Sequence, residues 1–166
     1  MAKVKIQGNE INTVGNIISV GSELPKIDLT KVDLSSLTNE DFKGKKVIFN
    51  IFPSIDTPTC AASVRRFNEE ISKLENSICV CVSRDLPFAH ARFCGAEGLE
   101  NVVSASLMKS CKFGEDFGVK LVDGPLEGLL ARSIVIADEE GKVTYTQLVP
   151  EITEEPNYEE ALKAIK

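Results

Sequence analysis

The tightest constraint in this chain is a change of periodicity between residues 47 and 74. Val47 to Phe52 is an apolar run rich in β-branched and aromatic residues, the mark of a buried strand. Pro53, Ser54, Asp56, Thr57 and Pro58 follow, all residues that stop strands or start helices. From Ala61 to Leu74 the apolar residues Val64, Phe67, Ile71 and Leu74 recur on one helical face. Thr57 suits the N-cap, and Pro58 suits the first helical position, where its missing N–H removes no bond. That count places Cys60 third in the helix.

The placement has chemical consequences. N–H groups in a first turn lack partners, and the aligned peptide dipoles leave partial positive charge there. Both favour a thiolate, the nucleophilic form of cysteine, over a thiol. Thr57 lies three residues earlier, on the same helix face, and can aim its hydroxyl at the same spot. Position alone leaves two readings, a reactive thiol or a buried cysteine beside a helix start.

The remaining cysteines and the charge narrow the function class. Met1 to Val14 alternates polar and apolar residues and lacks the apolar core of a signal peptide. No apolar run approaches the roughly 20 residues that cross a bilayer. The expectation is one cytoplasmic domain over residues 1–166. Five cysteines in such a chain argue for thiol chemistry or metal rather than a disulfide scaffold. His90 and Cys94 stand four apart and could share a helix face, His90 tuning Cys94 or simply lying at the surface. No C-x-x-C and no second histidine completes a metal set, so neither metal nor cofactor is expected. Cys79 and Cys81 alternate on one face of a strand and read as core. Cys111 reads as structural or partly exposed. The net charge is −6 without a Lys/Arg cluster, which argues against nucleic acid as a partner. There is no Gly-rich phosphate loop and no G-x-S-x-G elbow.

In chain order, Val4–Gln7 and Glu10–Val14 read as a hairpin turning at Gly8-Asn9. A strand is expected within Ile27–Leu34, and a connector from Leu37 to Gly44. Ile78–Val82 is the strand after the Cys60 helix, making a βαβ unit. Asp85 could cap a short helix ending near Gly95. Ser110–Phe117 reads as a further helix. Ser133–Ala137 and Val143–Val149 read as paired strands, and Asn157–Ile165 as a closing helix. Periodicity by itself supports an α/β sandwich.

Pro53, Thr57 and Cys60 spell the P-x-x-x-T-x-x-C pattern of the peroxiredoxins. The longer string Ser54-Ile55-Asp56-Thr57-Pro58-Thr59-Cys60 resembles that of the thiol peroxidases, atypical two-cysteine peroxiredoxins. Further matches lie at Asp85-Leu86-Pro87-Phe88-Ala89, Arg92-Phe93-Cys94-Gly95, Glu151-Ile152-Thr153 and Glu155-Pro156-Asn157-Tyr158, so the resemblance covers nearly the whole chain. It implies an α/β, thioredoxin-like fold, a central mixed β-sheet flanked by helices, here preceded by a β-hairpin. It implies Cys60 as the peroxidatic thiol, oxidised by hydrogen peroxide or an organic hydroperoxide to a sulfenic acid. It implies Cys94 as the resolving thiol, and Arg132, on an otherwise apolar strand, as the active-site arginine. Pro53 would shield the thiolate and Thr57 would donate or relay hydrogen bonds. Thioredoxin as reductant and a homodimer are also implied. The alternative is a thiol–disulfide oxidoreductase or redox sensor, although Thr57 holds the position of the first cysteine of a C-x-x-C motif.

A disulfide needs α-carbons about 4.4–6.8 Å apart. Both cysteines are expected on helices separated by a strand, so bridging them requires both helix segments to unwind locally. The closed loop of about 35 residues is worth at most roughly 4 kcal/mol in the chain-entropy model, which unwinding would largely offset. A labile, catalytic bridge is the expectation.

Overall fold

The computed structural model describes residues 1–166. Two strands, β1 (Lys3–Ile6) and β2 (Asn9–Asn12), form an antiparallel hairpin. Seven more strands form one mixed sheet: β3 (Asp28–Lys31), β4 (Ser36–Thr38), β5 (Lys46–Ile51), β6 (Ser77–Ser83), β7 (Val103–Ser106), β8 (Ser133–Ala137) and β9 (Val143–Leu148). Their spatial order is β4-β3-β7-β6-β5-β8-β9. Four α-helices interleave with them: α1 (Pro58–Ile71), α2 (Pro87–Glu97), α3 (Lys112–Asp116) and α4 (Tyr158–Ile165). A 3-10 turn, Asn39–Phe42, precedes β5. Strand β5 pairs in parallel with β6 and antiparallel with β8, so it is central and covered on both faces.

Side chains alternate along β5 and sort the core into two layers. Val47, Phe49 and Ile51 point to a cluster with Val80, Val82, Val135, Phe113 and Phe117. Ile48 points the other way, into a cluster with Cys79, Cys81, Ile134, Ile136 and the buried faces of α1 and α4. Helices α1, α2 and α4 therefore lie on the side of Ile48, Cys79 and Cys81, and α3, through Phe113, on the other; both strand cysteines are core residues with no exposed surface. Asn50 shares that side, where its amide donates to Ser63 Oγ of α1 at 3.1 Å. Burial raises the Cys79 thiol well above its ordinary value, which fits an inert core position.

Several expectations need correction. The hairpin turns at Gln7-Gly8, because the register pairs Ile6 with Asn9. Gln7 (φ 49°) and Gly8 (φ 84°) both take positive φ, which a two-residue turn of this hand demands. The connector at residues 37–44 contains the end of β4 and the 3-10 turn. Strand β7, V-S-A-S, lacks an apolar pattern because Ser104 and Ser106 are buried and satisfied by hydrogen bonds. Helix α2 passes Gly95 and stops at Gly98, whose left-handed conformation (φ 68°) closes it. Its N-cap is Leu86, without a side-chain bond, so Asp85 is not the cap. Mixed sheet, flanking helices and leading hairpin make up a thioredoxin-like fold.

Candidate active site

Strand β5 delivers the chain at Phe52 and Pro53, both buried, to the segment before α1. Thr57 is the N-cap of α1 and Pro58 opens it. Thr57 Oγ1 accepts the Cys60 N–H at 3.4 Å and donates its own proton to the Ser54 carbonyl at 3.1 Å. Cys60 is the third helical residue and has no exposed surface.

Arg132 stands immediately before β8, the neighbour of β5, and is 1% exposed. Its Nη2 donates to Cys60 Sγ at 3.2 Å. Its Nε donates to the Ile152 carbonyl at 2.8 Å, which fixes the plane of the guanidinium. Its Nη1 is buried and has no partner. A buried cation with a spare donor is costly unless something anionic or polar meets it. Residues 151–158 contribute twice, since Thr59 Oγ1 also donates to the Thr153 carbonyl at 3.0 Å. Nearby, the Tyr158 ring stacks against Arg66 and meets Phe67 edge-on.

The structure therefore brings Pro53, Thr57, Cys60 and Arg132 into one place. Cys94 is elsewhere. It lies in the second half of α2, half-buried, and its Sγ pairs with Ser104 Oγ at 3.4 Å. Burial pushes the Cys94 thiol up, so it is held as a neutral thiol. All five cysteines are free thiols, and Cys111 is exposed at the start of α3.

Sequence reasoning missed a second polar group beside the site. Asp85, half-buried, accepts from Ser54 Oγ at 2.8 Å and from the Ile55 N–H at 2.7 Å. It also accepts the Ser83 hydroxyl proton. His90 is not at the surface. It is wholly buried on α2, with Nε2 at 3.0 Å from Ser83 Oγ and its ring against Phe52. Ser83 has one proton and gives it to Asp85, so His90 Nε2 carries the donor hydrogen and Nδ1, which has no partner, is bare. Burial holds the His90 imidazole below its ordinary value, partly opposed by Asp85 and Asp56. The sequence signals were the spacing Ser83, Asp85, His90 at the end of an apolar strand and the family match that begins at Asp85.

The chain has relatives that match it over nearly its full length. A Redoxin family model matches residues 19–162. A thiol peroxidase of Mycobacterium tuberculosis is 54% identical over 165 residues, covering 99% of both chains. One of Corynebacterium glutamicum is 52% identical over the same share. The crystal structure of a peroxiredoxin-like protein from Aquifex aeolicus superposes with a TM-score of 0.94 at 38% identity, over 99% of this chain and 96% of that one. The chain belongs to the Redoxin family and, within it, to the thiol peroxidases.

Proposed function

We propose that this thiol-dependent peroxidase reduces hydrogen peroxide and organic hydroperoxides at Cys60, resolves the product with Cys94, and is recycled by thioredoxin. The observation that carries the reading is Arg132, buried, with Nη2 on the Cys60 sulfur at 3.2 Å and Nη1 without a partner. The guanidinium stabilises a thiolate, and its spare N–H is a donor for a peroxide oxygen. The thiolate attacks one oxygen, the O–O bond breaks, and the leaving alkoxide or hydroxide takes up a proton. Negative charge moves from sulfur towards the leaving oxygen during this step, and one fixed cation touches both ends of that path. Thr57 holds the first turn by capping the Cys60 N–H, and its hydroxyl reaches a peroxide only by releasing the Ser54 carbonyl. Buried Pro53 keeps bulk water off the sulfur.

The sulfenic acid on Cys60 then condenses with the Cys94 thiol, forming a disulfide and releasing water. In the reduced fold each sulfur has a different partner, Arg132 for Cys60 and Ser104 for Cys94. Condensation therefore requires the first turn of α1 and the second half of α2 to unwind. The reading includes a cytoplasmic homodimer. Phe52 and Ile55 are apolar neighbours of the site in sequence, and the reading extends to organic hydroperoxides as well as hydrogen peroxide. Peroxide consumption with thioredoxin as electron donor, run beside insulin reduction, tests the function. The expected result is rapid peroxide loss with negligible insulin reduction; the reverse pattern would move the assignment to a thiol–disulfide oxidoreductase.

A further inference from the structure

Two segments must come apart before Cys60 and Cys94 can meet, and one carboxylate joins them. On the α1 side, Asp85 holds Ser54 Oγ and the Ile55 N–H. Ser54 in turn accepts from Thr57, and Thr57 accepts from the Cys60 N–H. On the α2 side, Asp85 holds Ser83, which accepts from His90 one helical turn before Cys94. The Asp85 main chain is fixed as well: its N–H donates to Ser83 Oγ at 3.1 Å, and its carbonyl accepts from Ser106 Oγ of β7. A continuous run of hydrogen bonds thus links the cap of the Cys60 helix to the helix that carries Cys94.

Other ties between these segments are weaker. Arg92 pairs with Asp56 at 2.6 Å and Arg65 with Glu97 at 2.7 Å, but all four side chains are substantially exposed. Exposed pairs contribute little. Hydrogen bonds to a partly buried carboxylate are the stronger kind.

We propose that Asp85 is a positioning residue that sets how long oxidised Cys60 waits in the folded site before Cys94 reaches it. The inference rests on the assignment of Cys60 and Cys94 made above. Two fates compete during that wait. In one, the Cys60 S–OH bond is broken by the Cys94 sulfur, an S–S bond forms and water leaves. In the other, the sulfenate attacks a second hydroperoxide, whose O–O bond breaks; sulfur gains one oxygen to become a sulfinic acid and an alcohol or water leaves. Only the second fate requires the folded site, with Arg132 in place beside the sulfur. Loosening the Asp85 link shortens the wait and diverts oxidised protein from sulfinic acid to disulfide.

The test is the sulfinic-to-disulfide ratio at Cys60 in the reduced full-length protein, measured by intact and peptide mass after single pulses of increasing hydrogen peroxide. Because the ratio counts only molecules already oxidised once, a slower first step does not change it. For Asp85→Asn, the peroxide concentration giving equal sulfinic acid and disulfide is expected to rise about tenfold, the scale of a lost hydrogen bond to a charged group. Ser54→Ala, which removes one of the bonds to the carboxylate together with the acceptor of the exposed Asp56 N–H, is expected to shift it in the same direction by a smaller factor, about threefold, and decides the matter if Asp85→Asn does not fold. An unchanged ratio, or more sulfinic acid, in the folded variants overturns the proposal. Native protein mapped alongside separates the two ideas: absence of a 60–94 bridge there sinks the resolving role of Cys94 and not merely the part given to Asp85.

Discussion

Cys60 and Cys94 each sit on a helix packed against the same layer of the core, and their surroundings are opposite. Helix α1 is capped by Thr57, opened by Pro58, and buries Cys60, Val64, Phe67 and Ile71 on one face. Its cysteine is enclosed and touches a fixed cation. Helix α2 has no side-chain cap, and its cysteine is half-buried against a neutral serine. One setting encloses a sulfur against a fixed cationic donor; the other holds a sulfur whose burial favours the neutral thiol. The two-thiol cycle proposed above is served by that asymmetry, because a nucleophile on both helices would compete for peroxide.

The asymmetry can be broken from either end. The largest effect is expected for Cys60→Ser: peroxide turnover falls to the uncatalysed background, read as loss of peroxide consumption. Cys94→Ser should leave one equivalent of peroxide reduced per protein while stopping turnover with thioredoxin, seen as a burst without a steady state. Arg132→Met keeps much of the volume but removes the charge and the donors at Nε, Nη1 and Nη2. The first step should slow by roughly 10²–10³, the range seen when one transition-state donor is removed, measured by stopped-flow oxidation of Cys60. Retention of the native rate would show that the helix start alone activates the sulfur.

The smallest effect concerns pH and stability. The fold keeps His90 neutral, below its ordinary 6.5. Just below that pH the unfolded chain binds a proton that the folded chain refuses, so stability falls as pH drops through 6.5 towards the depressed folded value. His90→Phe should flatten the decline of Tm between pH 7 and 5. At the alkaline end, Cys94 is raised above its ordinary 9.0 by burial. There the unfolded chain loses its proton first, and stability falls as pH rises beyond that value. Cys94→Ala should remove that part of the alkaline loss.

What could be read from the chain follows from how local each signal is. Thr57, Pro58 and Cys60 lie within four residues, so cap, first turn and thiol position were legible together. Strands β5 and β8 were legible because central strands are apolar on both faces. Arg132 was noticeable as a charge entering such a strand, but its contact with Cys60 spans 72 residues and needed the sheet order. Strand β7 was hidden because buried serines replace its apolar residues. Asp85 was misread for a physical reason: an acidic residue just before Leu86-Pro87 has the composition of a helix cap, and only the fold shows that a segment 30 residues earlier takes its hydrogen-bonding capacity instead.

The central claim is that Cys60 is oxidised first and Cys94 then reaches it by local unwinding. Mass mapping of the reduced protein after one equivalent of hydrogen peroxide tests this most directly. The account predicts one new intramolecular bridge, between Cys60 and Cys94, with Cys79 and Cys81 still free. Oxidation that leaves Cys60 and Cys94 unlinked, or that bridges a different pair, would contradict it.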